Sequence, residues 1–184
     1  IKPDYAEAHN NLGIALRDLG QLDAAVKCYE KALAIKPDYA EAHNNLGNAF
    51  KELGQLDDAV KSYEKAVEIK PDHANAHNNL GNTLRDLNKP EEAVASYQKA
   101  LALKPDFAEA HNNMGMALHL QGHFLEAKAA YKLGIAINSK PGITHAYLKS
   151  LYNKEKEPNV SAPVDVPEAQ RENEKIYPGL RIRT

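Results

Sequence analysis

The sequence predicts an all-α solenoid of four stacked helix–turn–helix units. Three observations carry this. HNNLG occupies residues 9–13, 43–47 and 77–81, and HNNMG occupies 111–115, so the chain repeats itself every 34 residues. A fixed period of that size marks supersecondary units that bury their apolar faces against their neighbours. Small and large residues recur together at fixed offsets, and each unit holds two helix-patterned stretches separated by Gly or Asn.

Numbered 1 to 34 from Ala6, the units are 6–39, 40–73, 74–107 and 108–141. Position 7 is Leu12, Leu46, Leu80 and Met114, and position 8 is Gly13, Gly47, Gly81 and Gly115. Position 20 is always Ala (Ala25, Ala59, Ala93, Ala127), and position 24 is always Tyr (Tyr29, Tyr63, Tyr97, Tyr131). Helix A is expected over about positions 1–14 and helix B over about positions 17–31. Asp4 with Glu7, Asp38 with Glu41, and Asp106 with Glu109 read as capping boxes that open helix A. Gly20, Gly54 and Gly122 close it, where a left-handed residue is wanted. In the third unit Asn88 takes that place, and Pro90 follows near the first turn of helix B.

A helical wheel divides helix A into two faces. In unit two, Ala42, His43, Leu46, Gly47, Ala49, Phe50 and Leu53 share one side. Glu41, Asn44, Asn45, Asn48, Lys51 and Glu52 share the other. The first face is expected to pack, with Gly and Ala allowing close approach. The paired asparagines are expected to face away from the core. Asn is a mediocre helix residue because its amide competes for the backbone, so four such pairs need a reason.

With these offsets the chain resembles the tetratricopeptide repeat (TPR) family over about three quarters of its length. Its pattern is similar above all to the repeats of the O-linked N-acetylglucosamine transferases. The resemblance implies a right-handed superhelical solenoid whose A helices line a concave groove. It also implies that Asn at position 6 contacts the main chain of an extended ligand. On that basis the peptide-binding residues are Asn10, Asn11, Asn44, Asn45, Asn48, Asn78, Asn79, Asn82, Asn112 and Asn113. An amide offers both donors and acceptors, as a peptide backbone does. The alternative is that the pairs are soluble filler that tunes helix–helix contacts. Arg17, Lys51 and Arg85 are each followed by an acid. Such mixed charge favours tolerant, backbone-directed binding and argues against the family's clamp for a terminal carboxylate.

Composition narrows the classes further. Lys and Arg total 23, Asp and Glu 25, and the net charge is −2, which argues against nucleic acid as a partner. No apolar run has the length of a bilayer span, so no membrane partner is expected. The one cysteine, Cys28, permits no internal disulfide and fits a reducing, cytoplasmic setting. It holds the same small-residue slot as Ser62, Ser96 and Ala130. No Ser–His–Asp order, phosphate loop or nucleotide fingerprint is present, so neither an enzyme nor a cofactor is expected. His9, His43, His77 and His111 lie at position 4 on the packing side and read as packing residues rather than a metal ladder. His119 and His123 flank Gly122, where helix A ends, which does not suit an i, i+4 metal pair. Asn159-Val160-Ser161 matches a glycosylation acceptor, but no secretory signal accompanies it.

At the ends the pattern changes. Residues 1–5 match the tail of a preceding repeat, so the chain reads as a fragment of a longer array. Gly134 and Ser139 depart from the consensus, and Pro141-Gly142 interrupts the chain. Residues 142–153 are expected to form a capping helix, in which His145, Leu148 and Tyr152 keep positions 4, 7 and 11. Residues 154–184 are expected to be an extended or disordered tail. Three functions follow. The first is a non-catalytic scaffold that binds a protein or extended peptide segment on the Asn-lined face. The second is the substrate-recognition part of a larger enzyme such as a glycosyltransferase. The third is a structural protein that self-associates by stacking its repeat ends.

Overall fold

The computed structural model describes residues 4–137, and among them it contains eight α-helices and no strand. In order these are α1 (Asp4–Asp18), α2 (Leu22–Ile35), α3 (Ala40–Glu52), α4 (Leu56–Ile69), α5 (Ala74–Asp86), α6 (Pro90–Leu103), α7 (Ala108–Leu120) and α8 (Phe124–Ile137). Odd-numbered helices are the A helices and even-numbered ones the B helices. Each A helix packs most extensively on its own B helix, and each B helix then packs on the next A helix. Successive A helices also touch, whereas successive B helices meet marginally at most. The array is therefore a superhelical solenoid with the A helices on its inner side. The expected cap at 142–153 and tail at 154–184 lie outside the described residues.

The A-to-B turns form as the sequence predicts. Gly20, Gly54 and Gly122 have φ of 74°, 76° and 80°, and Asn88 has φ of 60°. Each turn is a Schellman motif. Gly20 N–H donates to Arg17 O at 2.8 Å and Gln21 N–H to Leu16 O at 2.9 Å. Around Asn88 the same pair runs to Arg85 O and Leu84 O, both at 2.9 Å. Asn has a short polar side chain and tolerates the left-handed region, which is why it substitutes for Gly here.

The B-to-A turns correct the capping expectation. The residues that cap α3 and α7 are Tyr39 and Phe107, and neither side chain makes a capping bond. Asp38 instead sits inside a turn closed by Tyr39 N–H to Lys36 O at 3.2 Å. Pro37 presets the second residue of that turn, which leaves Asp38 one residue too early to cap. Asp4 is already the first residue of α1. The Tyr39 carbonyl instead accepts from the N–H groups of Ala42 and His43 at 3.0 and 3.1 Å. A side-chain cap occurs at α5, where His73 Nδ1 accepts from Ala76 N–H at 3.4 Å.

Within each unit the two helices lock through Tyr on Gly. Tyr29, Tyr63, Tyr97 and Tyr131 are fully buried. A Cβ added at Gly81 would stand 2.6 Å from Tyr97 Cε1, so only Gly admits the ring, and the other three units match. Gly134 replaces the Ala of position 27, yet α8 runs straight through it. There a Cβ would collide with the Asn112 amide, which takes up the vacant space.

Candidate peptide-binding face

The inner face is built from positions 2, 5, 6, 9, 12 and 13 of the A helices. Its main feature is a chain of amides that crosses from unit to unit. Asn45 Nδ2 donates to Asn10 Oδ1 at 3.0 Å, Asn79 to Asn44 at 3.1 Å, and Asn113 to Asn78 at 3.2 Å. Each bond joins position 5 of one unit to position 6 of the next. Asn78 Nδ2 also donates to Glu109 Oε1 at 3.2 Å.

This corrects the expectation that the asparagines face away from the core. Asn10, Asn78 and Asn113 are buried, with 4, 2 and 8% of their surface exposed. Asn44, Asn45, Asn48, Asn79, Asn82 and Asn112 are half-buried, and Asn11 is exposed. The wheel gave the contacts with helix B and with the neighbouring unit to the apolar face alone. A solenoid A helix also has an A helix on either side, and positions 5 and 6 lie in those seams. Buried amides must find partners there, and two facing amides satisfy one another. Each bond uses one amide proton of the donor and one lone pair of the acceptor. The remaining capacity of each amide is left for other partners.

Asn48 and Asn82 do a different job. Tyr63 Oη donates to Asn48 Oδ1 at 2.7 Å, and Tyr97 Oη to Asn82 Oδ1 at 2.8 Å. Asn48 Oδ1 also accepts from Asn79 Nδ2 at 3.2 Å. The B-helix tyrosine thereby reaches through to the inner face. In unit one position 9 is Ile14, and the Tyr29 hydroxyl is buried without a partner. Burial pushes the Tyr29 phenol up to about 12, and raises Tyr63 and Tyr97 further still. The sequence signal for this pairing was available. Asn at position 9 occurs in the two middle units, each with Tyr fifteen residues on.

Beside the amides runs a charged stripe with the same step from unit to unit. Arg17 Nε lies 3.8 Å from Glu52, and Lys51 Nζ 3.3 Å from Asp86. Arg17 and Arg85 also bond the acid next in sequence, Asp18 at 3.1 Å and Asp86 at 3.0 Å.

The recurrent histidines hold the B-to-A turns. Nε2 of His43, His77 and His111 meets the carbonyls of Pro37, Pro71 and Pro105 at 2.9, 3.0 and 2.9 Å. A neutral ring donates this bond from its Nε2–H. Burial holds His77 and His111 below the ordinary imidazole value. Among the described residues no group of three or more His, Cys, Asp or Glu could hold a metal ion. No helix among them is long and apolar enough to cross a membrane. Cys28 is buried in its small slot, where Ser62 and Ser96 turn their hydroxyls onto the carbonyls four residues back.

Stacked helix pairs, each locked by Tyr on Gly and joined along an amide seam, define an α-solenoid repeat protein. Three family models match the chain: one described as TPR repeat over 13–54, and two described as tetratricopeptide repeat over 38–106 and 78–140. The chain belongs to the tetratricopeptide repeat family. No curated protein matches it. Among solved structures it is similar to MamA, at 24% identity and a TM-score of 0.74, over 89% of this chain and 91% of that one. YrrB, described as a TPR protein with an unusual peptide-binding site, aligns at 22% identity and a TM-score of 0.70 over 93% and 86%. The first TPR of Spaghetti (RPAP3), bound to an HSP90 peptide, aligns at 21% and 0.62 over 63% and 92%. At these identities the likeness is one of fold.

Proposed function

We propose that this chain is a non-catalytic scaffold that binds an extended peptide along its inner, A-helix face. The amide seam carries the reading. Cross-unit bonds hold Asn45, Asn79 and Asn113 in fixed orientations, so little side-chain entropy remains to be lost when a ligand arrives. The second amide proton of Asn45 and the side-chain oxygens of Asn45 and Asn79 stay uncommitted and suit the alternating groups of an extended main chain, and so does the exposed Asn11. The balanced charges alongside favour tolerance over one strongly charged motif. Peptide binding by two proteins of the same fold, YrrB and Spaghetti, lends support. A substrate-recognition role within a larger enzyme, as the likeness to O-linked N-acetylglucosamine transferase repeats implies, would use the same face.

The test is selection of random displayed peptides on the chain, followed by affinity measurement with the variant Asn11→Ala, Asn45→Ala, Asn79→Ala, Asn113→Ala. The measurement is made well below the unfolding temperature of both proteins, with equal helicity checked. Loss of about tenfold or more in affinity is the expected result. Unchanged affinity would remove the amide files from the binding site.

A further inference from the structure

The charged stripe is uneven along its length. At the first seam one cation, Arg17, meets two carboxylates, Asp18 at 3.1 Å and Glu52 at 3.8 Å. At the second seam Asp86 receives Lys51 at 3.3 Å while already bonded to Arg85 at 3.0 Å. Two cations therefore share one acid. By the step that pairs Arg17 with Glu52 and Lys51 with Asp86, Arg85 should meet position 13 of unit four. That residue is Leu120, and 64% of its surface is exposed. Arg85 Nη1 is buried with no hydrogen-bond partner. The third seam thus holds an arginine that shares Asp86 with Lys51, an unsatisfied guanidinium donor and an exposed apolar side chain where the ladder calls for a carboxylate.

We infer that this seam is the subsite for an acidic side chain of the bound peptide, whose carboxylate occupies on Arg85 the place that Glu52 and Asp86 occupy at the first two seams. The inference rests on the peptide-binding reading of the inner face and adds a chemical preference to it. A charged donor buried without an acceptor is costly, and a carboxylate supplies charge-assisted bonds that a neutral group does not. The guanidinium turns to present Nη1 while Nη2 keeps Asp86, and the planar fork of Arg can serve two carboxylates at once. Leu120 offers apolar contact to the residue beside the acid. An internal side chain is the occupant, because side-chain carboxylates fill the two complete seams.

The experiment selects random displayed peptides on the intact chain. The strongest binder is then synthesised with its C-terminus amidated, which removes the terminal carboxylate. Binding is compared on wild type, Arg85→Met and Leu120→Glu. Leu120→Glu restores the missing acid at an exposed site, so it competes with the ligand without threatening the fold. The selected peptides are expected to share an Asp or Glu, and affinity is expected to fall about tenfold on either variant. Neutralising the peptide's acid should give the same loss on wild type and little further loss on the variants. Amidated peptides without an acidic preference, bound equally by wild type and Leu120→Glu but weakened by the fourfold Asn-to-Ala change, would overturn the subsite and leave the groove standing. Binding that vanishes on amidation would assign the carboxylate to a chain terminus and overturn the inference. Failure to select any peptide, or binding indifferent to all of these changes, would overturn the groove and the subsite together.

Discussion

Two substitutions that remove the same atom should act in opposite directions. Tyr29 and Tyr63 are both fully buried, and each lies on the glycine of its own unit. Tyr63 Oη donates to Asn48 at 2.7 Å, whereas the Tyr29 hydroxyl has no partner because Ile14 stands where Asn48 does. Tyr63→Phe gives up one hydrogen bond, worth about 1 kcal/mol net. Asn48 keeps its bond from Asn79 at 3.2 Å, so the full cost of an orphaned carbonyl is not added. Tyr29→Phe instead removes a buried, unpaired hydroxyl, whose desolvation costs about 1–3 kcal/mol. Lost contacts of the oxygen offset part of that gain. The expected result is a gain of up to about 1 kcal/mol at Tyr29 and a loss of about 1 kcal/mol at Tyr63. Urea unfolding followed by far-ultraviolet circular dichroism measures the difference. Repeat arrays lose cooperativity, so hydrogen exchange in α2 and α4 should locate it as well. Equal destabilisation by the two substitutions would refute the reasoning, because the partner at position 9 would then not matter.

Other consequences are open to measurement. Gly81→Ala should destabilise by roughly 1–2 kcal/mol despite the better helix propensity of Ala, because its Cβ meets the Tyr97 ring, and thermal unfolding would detect this. Gly134→Ala meets the rotatable Asn112 amide first and should cost much less in the same assay. Stability should also fall in mild acid. His73, His77 and His111 are held below their unfolded value of 6.5, chiefly by burial, so the unfolded chain takes up protons first. The contribution is complete above that value and is lost as pH falls through it towards the folded-state values. Urea midpoints at about pH 7.5 and about pH 5.5 should differ in that sense, and His111→Gln should shrink the difference. Finally, Asn78→Ala removes the acceptor for Asn113 and the donor to Glu109 at a buried seam, and should cost about 1–3 kcal/mol, concentrated in exchange of α5 and α7 amides.

What the sequence disclosed was whatever depends on one helix or one turn. The period, the helix limits and the left-handed residues at Gly20, Gly54, Asn88 and Gly122 are local matters, and the structure reproduces them to about one residue, except that α1 starts two residues early, at Asp4. Position 4 also read correctly as a packing site. What stayed hidden was the identity of third parties. Asp38 looked like a cap because its spacing to Glu41 was right, but Pro37 draws it into a turn. Asn10, Asn78 and Asn113 looked solvent-facing because a wheel sets polar residues outside and does not show how far the seams between neighbouring A helices reach round the helix. The pairing of Arg17 with Glu52 and of Lys51 with Asp86 runs one residue beyond the repeat period. A search for like residues at like positions therefore passes over it. The adjacent acids, Asp18 and Asp86, drew attention to neighbours in sequence instead.

The most direct test of the account follows the asparagine side-chain amides themselves. A nitrogen–proton correlation spectrum resolves their paired resonances, and a selected peptide can be titrated into the labelled chain. The account predicts that the side-chain amides of Asn11, Asn45 and Asn79 shift on binding, and that those resonances recover when the peptide is competed away. A contradiction would be binding that leaves every one of them in place and perturbs only the outer groove between α4 and α6, around Glu64, Lys99 and Leu103.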